Sequence, residues 1–227
     1  MKKILGLLLA GLSLNAMAAV CVDNKNALNC SEGVINGITH NGDVNFQNTT
    51  VNGRSVLRGN TEINNASFDG LTLNGNASVT GSKLNTMNVT GNVYAKDVTV
   101  SGDTKVLGKF YAANTTIAAN TKLVGEIDCD HCLFEKDASL LGNVVVSDSE
   151  VLGSLNLDSD RNAFYESKLN NIVMKKPAGN HKQVISLNHG TTVNNIRFEG
   201  KGGLVMLDST SKITGTVEGG TVVKSKG

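Results

Sequence analysis

The 227-residue chain has no tryptophan, one proline (Pro177), nine aromatic residues and four cysteines. So few aromatics, three Tyr and six Phe, argue against a long carbohydrate-binding cleft lined with stacking platforms. Charge is also sparse: 21 basic residues face 20 acidic ones, a balance that leaves no electrostatic footprint for nucleic acid. Past the first 18 residues no apolar run approaches the roughly 20 residues that a membrane-spanning helix needs. Good helix formers give way to turn and strand formers, with 25 glycines and much Asn, Thr and Val. The class is all-β.

The first 18 residues read as a secretory leader: Lys2 and Lys3, an apolar run from Ile4 to Leu14, and a small-residue site at Ala16-Met17-Ala18, with cleavage before Ala19. Removing it takes away two lysines and turns the net charge from +1 to −1. The expected address is the periplasm, the cell envelope or the exterior. A lipid anchor on Cys21 is the alternative, weakened by Val20 where that processing prefers a smaller side chain.

What the chain has in abundance is rhythm. Glycines stand at 42, 59, 75, 91, 108, 125 and 142, at intervals of 17, 16, 16, 17, 17 and 17. Two residues before the last six stand Leu57, Leu73, Val89, Val106, Leu123 and Leu140. Four residues after all seven come Phe46, Ile63, Val79, Ala95, Ala112, Cys129 and Val146, and nine after come Val51, Phe68, Leu84, Val100, Ile117, Phe134 and Val151. Three apolar columns spaced five or six residues apart cannot form a helix stripe, whose neighbours return at three and four. They describe triangular coils, each side a short strand sending one or two side chains inward, stacked at the strand spacing of about 4.8 Å. About ten coils would make a rod roughly 50 Å long. Gly-Asn pairs at 59-60, 75-76, 91-92 and 142-143 suit a corner, since both residue types tolerate positive φ. The variation between 16 and 17 falls between Phe68 and Leu73 and their equivalents.

The expected organisation is a leader (1–18), an N-terminal cap (19–41), regular coils (42–159), an irregular coil with an inserted loop (160–183) and C-terminal coils with a tail (184–227). The stretch from about Gly59 to Val151, with its "GNVYAKDVTVSGDTKVLGK" cadence, resembles the bactofilins. That resemblance implies a right-handed parallel β-helix and end-to-end self-association without nucleotide. Bactofilins are cytosolic, and here a leader, four cysteines and an irregular second half depart from them. A left-handed hexapeptide helix is the alternative, although it favours 18-residue coils.

Four cysteines are the candidate disulfide formers. Cys21 and Cys30 flank a short loop before the first coil and would staple the cap in an oxidising compartment. In "DCDHC", Cys129 and Cys132 have C-x-x-C spacing, which can support thiol-disulfide exchange. Cys129 falls in an inward column and no helix context accompanies it, so a structural bridge or buried thiols is the reading. A metal site of Cys129, His131 and Cys132 with Asp128 or Asp130 would need a further soft ligand, and no metal or other cofactor is expected. His40, His181 and His189 stand alone beside turn residues and read as solvated.

Three residues after the glycines, the outward column runs Asn45, Glu62, Ser78, Tyr94, Tyr111, Asp128, Val145. No catalytic carboxylate pair appears in it, and no enzyme activity is expected. Tyr94 and Tyr111 fall on successive coils and are the candidate surface contact for a sugar or a protein partner. N-x-S/T sequons such as Asn48-Thr49-Thr50 and Asn114-Thr115-Thr116 are read as products of composition. The sequence thus points to an exported scaffold that associates through coil ends, with a secreted adhesin or polysaccharide-binding protein as the alternative.

Overall fold

A computed structural model describes residues 17–24, 27–177, 179 and 181–224. Most of the leader and the last three residues lie outside that range. The described residues form 25 strands and no helix, stacked as a parallel β-solenoid of about 12 turns, two more than the glycine rhythm suggested. Residues 27–36, expected to belong to a cap, already pair in parallel with 43–52 as part of the stack.

Each coil pairs with the next in parallel register. Phe110 lies over Val93, Tyr111 over Tyr94 and Ala112 over Ala95, while Leu123 stacks between Val106 and Leu140. All three columns read from the sequence point inward and are buried. Three more inward columns accompany them, one at the second corner and two along the sides. Val44, Thr61, Ala77, Val93, Phe110, Ile127 and Val144 follow each glycine by two; Ser55, Leu71, Met87, Thr104, Thr121 and Ala138 precede the next glycine by four; all are buried. Thr, Ser and Ala break the hydropathy signal of these columns. Each fully buried Leu, Val or Phe contributes about 1.5–3 kcal/mol over an exposed one, and no single coil could bury its own face.

The corners have different causes. At the first, the repeated glycine takes φ of 120° to 150°, and a Cβ on Gly108 would sit 2.2 Å from the carbonyl oxygen of Gly91 one coil below. The following Asn residues are not left-handed. Their amides stack instead: Asn60 Nδ2 donates to Asp43 Oδ1 (3.2 Å) and Asn76 Nδ2 to Asn60 Oδ1 (3.0 Å), while Asn92 N–H donates to Asn76 Oδ1 (3.2 Å).

The second corner holds the left-handed residues: Asn48, Asn65, Gly81, Asp97, Asn114, His131, Asp148, Glu166 and His189. Short polar side chains tolerate that conformation best. After each corner residue of the regular coils a small side chain turns inward, giving Thr49, Ala66, Ser82, Val98, Thr115, Cys132 and Ser149, all buried; Ser167 continues the column. Their hydroxyls form an internal ladder. Ser149 Oγ donates to Ser147 O (2.6 Å) and accepts the Cys132 N–H (2.8 Å), and Ser167 Oγ accepts the Ser149 N–H (3.1 Å). The sequons at 48, 65 and 114 are this corner pattern: a left-handed Asn, a small inward residue, then Ser or Thr.

The third corner absorbs the variation in coil length. Register slips by one between Val51 and Arg54 opposite Phe68 and Gly70, and again between Val151 and Ser154. Strands Arg161–Tyr165 and Lys168–Met174 continue the stack, so among the described residues the stretch without strand is narrower than 160–183 and begins at Lys175. Gln183, itself buried, closes it by donating to Lys175 O (2.8 Å). At the N-terminal end, strand Val20–Asn24 folds back antiparallel on Ala27–Asn36, with Cys21 opposite Cys30.

Candidate functional site

Cys21 and Cys30 are joined as a disulfide, with the sulfur of Cys30 buried at the start of the core and Cys21 packed against it.

Cys129 and Cys132 are free thiols, not a bridge, and both are buried. Cys129 occupies the inward column between Ala112 and Val146. Cys132 takes the small-residue position of the second corner, its sulfur directed to Ala112 O (3.8 Å) and Asp130 O (3.7 Å) as the serines direct their hydroxyls. The neighbouring Cys132 thiol and burial push the Cys129 thiol well above its ordinary value. A nucleophilic thiol needs the opposite shift and solvent access.

Asp130 and His131 face outward from the same corner, so the thiols and the imidazole of "DCDHC" cannot share an ion. Instead the ligand atoms of Asp130, His131 and Asp148 lie within 4.8 Å of one another, all on exposed residues. His131 Nδ1 stands 3.1 Å from Asp130 Oδ2, and that contact raises the His131 pKa. His181 and His189 are exposed, whereas His40 is half-buried with Nε2 lacking a partner. His40 pairs with Leu57 in the first inward column, which explains its departure from the solvated reading.

The outward column keeps its sequence order. Tyr94 and Tyr111 stack with ring centroids 5.3 Å apart and planes 13° from parallel. Tyr111 is buttressed by Lys109, whose Nζ lies 3.5 Å from its hydroxyl and 2.7 Å from Glu126 Oε2. Glu126 raises the Lys109 pKa, and Lys109 in turn holds the Glu126 carboxyl below its ordinary value. Tyr94 is 52% exposed. Beside it a groove of about 520 Å³ runs toward the N-terminal end, bounded by Asn45, Glu62, Ser78 and the amide ladder of Asn60 and Asn76. The Tyr pair was legible in the sequence. The groove was not, because it forms between two outward columns whose lateral spacing no linear pattern records.

The C-terminal end is the other notable feature. Among the described residues, strands Lys212–Ile213, Val217–Glu218 and Gly220–Lys224 are hydrogen-bonded to an earlier coil on one side only. Val222 continues the inward column of Val205, yet it is 39% exposed because no further described coil covers it.

Among the described residues no helix is long and apolar enough to cross a membrane. The chain matches no family model, no curated protein and no solved structure. The class that the fold defines is the parallel β-solenoid, and the bactofilin resemblance is carried no further than that architecture.

Proposed function

We propose that the protein is a non-enzymatic structural rod, exported to the periplasm, envelope or exterior, that pairs with a second copy of itself through its C-terminal coil. The observation that carries this reading is the difference between the two ends. At the N-terminal end, among the described residues, the outermost strand Val20–Asn24 is short, antiparallel to the stack and tied down by a disulfide, so its edge does not continue the parallel register of the coils. The C-terminal end offers a one-sided strand edge with Val222 and Val223 exposed. Such an edge templates pairing with another chain, and stacked repeats need their last apolar layer covered. Two C-terminal coils that pair with each other close as a dimer and do not grow into filaments. Export is supported by the leader-like N-terminus and by the disulfide, which persists in oxidising compartments. A second reading, a polysaccharide-binding protein, is favoured by the exposed Tyr94 ring.

Sedimentation velocity over a concentration series tests the pairing. The full-length protein should pass from monomer to dimer, and Val222→Lys, which puts an ammonium into the apolar end, should hold it monomeric. A wild-type monomer at every concentration would contradict the reading.

A further inference from the structure

Register places Tyr94 between Ser78 on one neighbouring coil and Tyr111 on the other. Tyr111 covers one face of the Tyr94 ring. Ser78 is too short to cover the opposite face, so the aromatic ladder stops with one face open above a serine. The gap is one coil deep, about 4.8 Å, and it opens directly into the groove of about 520 Å³.

We propose that this groove binds an uncharged glycan, with one pyranose ring seated over Ser78 against the free face of Tyr94. The C–H face of a sugar ring is a suitable partner for the electron-rich face of an aromatic ring. Hydroxyl partners stand around that seat. Glu62 uses Oε1 to accept the Asn64 amide (2.9 Å), which leaves Oε2 for a sugar hydroxyl. The Asn60 and Asn76 side chains border the seat with amide groups already aligned by their own ladder.

Charge selects within the glycans. The groove lining includes the carboxylates Asp43 and Glu62 and no Lys, Arg or His, so an anionic polysaccharide would be repelled. A peptide is a poorer occupant. The strands Thr61–Asn64 and Ala77–Thr80 on this face are paired on both sides and offer no free edge for strand addition. One platform rather than a row of them agrees with the small aromatic content: this is a short subsite, not a long cleft.

The site lies on the side of the rod, away from the C-terminal edge, and stands or falls apart from self-association. With no tryptophan, the ultraviolet emission of the full-length protein comes from three tyrosines, two of them at the site. The probes are a β-1,4-glucan hexasaccharide, a β-1,4-linked N-acetylglucosamine hexasaccharide and, as the anionic control, an oligogalacturonate. At least one uncharged probe should give a saturable emission change, confirmed by calorimetry, with no binding of the oligogalacturonate. Tyr94→Ala should weaken binding roughly tenfold. Ser78→Tyr should extend the ladder into the seat, abolishing binding without lowering the melting temperature. That variant separates a sugar seat from a merely structural stack. No saturable binding of either uncharged probe at millimolar concentration overturns the proposal. So does equal binding of the anionic probe, or unchanged affinity in Ser78→Tyr.

Discussion

The coils from Gly42 to Asp158 and those after Ser159 build one continuous core by different means. In the first region the same backbone geometry recurs, with glycine stacked on glycine at one corner and a hydrogen-bonded small residue at the next. In the second the stacked corner glycine is gone, and fit is settled side chain by side chain. Phe198 illustrates this: its ring lies over Gly203 and Gly220, where a Cβ would stand 2.2 Å and 2.5 Å from ring carbons. Repetition makes each coil depend on the backbone of its neighbour, whereas compensation makes it depend on a particular partner side chain.

The largest expected effect follows from that dependence. Gly108→Ala places a methyl against the Gly91 carbonyl in a backbone conformation that L residues avoid, and should cost about 3 kcal/mol or more in urea denaturation. Gly202→Ala, at φ 84° with nothing within 4 Å, should cost only the conformational strain of about 1 kcal/mol. Equal losses at the two positions would erase the distinction between the regions.

Gly203→Ala should fall between them, at about 2 kcal/mol, because the obstacle is the Phe198 ring. Adding Phe198→Leu should recover part of the loss. No second side-chain substitution should rescue Gly108→Ala, whose obstacle is backbone.

Acid should loosen the C-terminal coils through Asp208. Partial desolvation pushes this carboxyl up. The His189 N–H (2.6 Å), the Ser211 N–H (2.7 Å) and Thr210 outweigh it and hold the pKa well below the ordinary carboxylate range. A depressed folded pKa contributes stability that is present above the unfolded value of about 3.9 and is lost as pH falls through the folded value. Hydrogen exchange should therefore show the turn at 208–211 opening as pH drops below about 3.9, and Asp208→Asn should remove that dependence.

Cys132→Ser should have the smallest effect, within about 1 kcal/mol by thermal melting, because serine fills the equivalent corner position at 82, 149 and 167. A loss well beyond that would mean that the sulfur has a role apart from the corner.

Much of this was legible in the chain. The apolar columns gave the solenoid, the 16-or-17 variation pointed to the third corner, and Cys21 and Cys30 suggested their own bridge. Half of the inward columns were hidden, because Thr61, Thr104, Ser82 and Ser149 look like surface residues until their hydroxyls are seen turned to backbone or core. Asn60, Asn76 and Asn92 stand at a corner as expected but without positive φ, since an amide ladder and tolerance of positive φ leave the same mark on a sequence. Tyr94 and Tyr111 could be paired by counting. The open ring face above Ser78 became meaningful only with the neighbouring column in place.

The most direct test of pairing through the C-terminal coil is particle length by negative-stain microscopy and small-angle scattering over a concentration series. About 12 turns give a single rod of roughly 60 Å. The account expects particles of about twice that length and unchanged width at high concentration, reverting to single length in Val222→Lys. Single-length particles throughout, or particles that widen without lengthening, would contradict it.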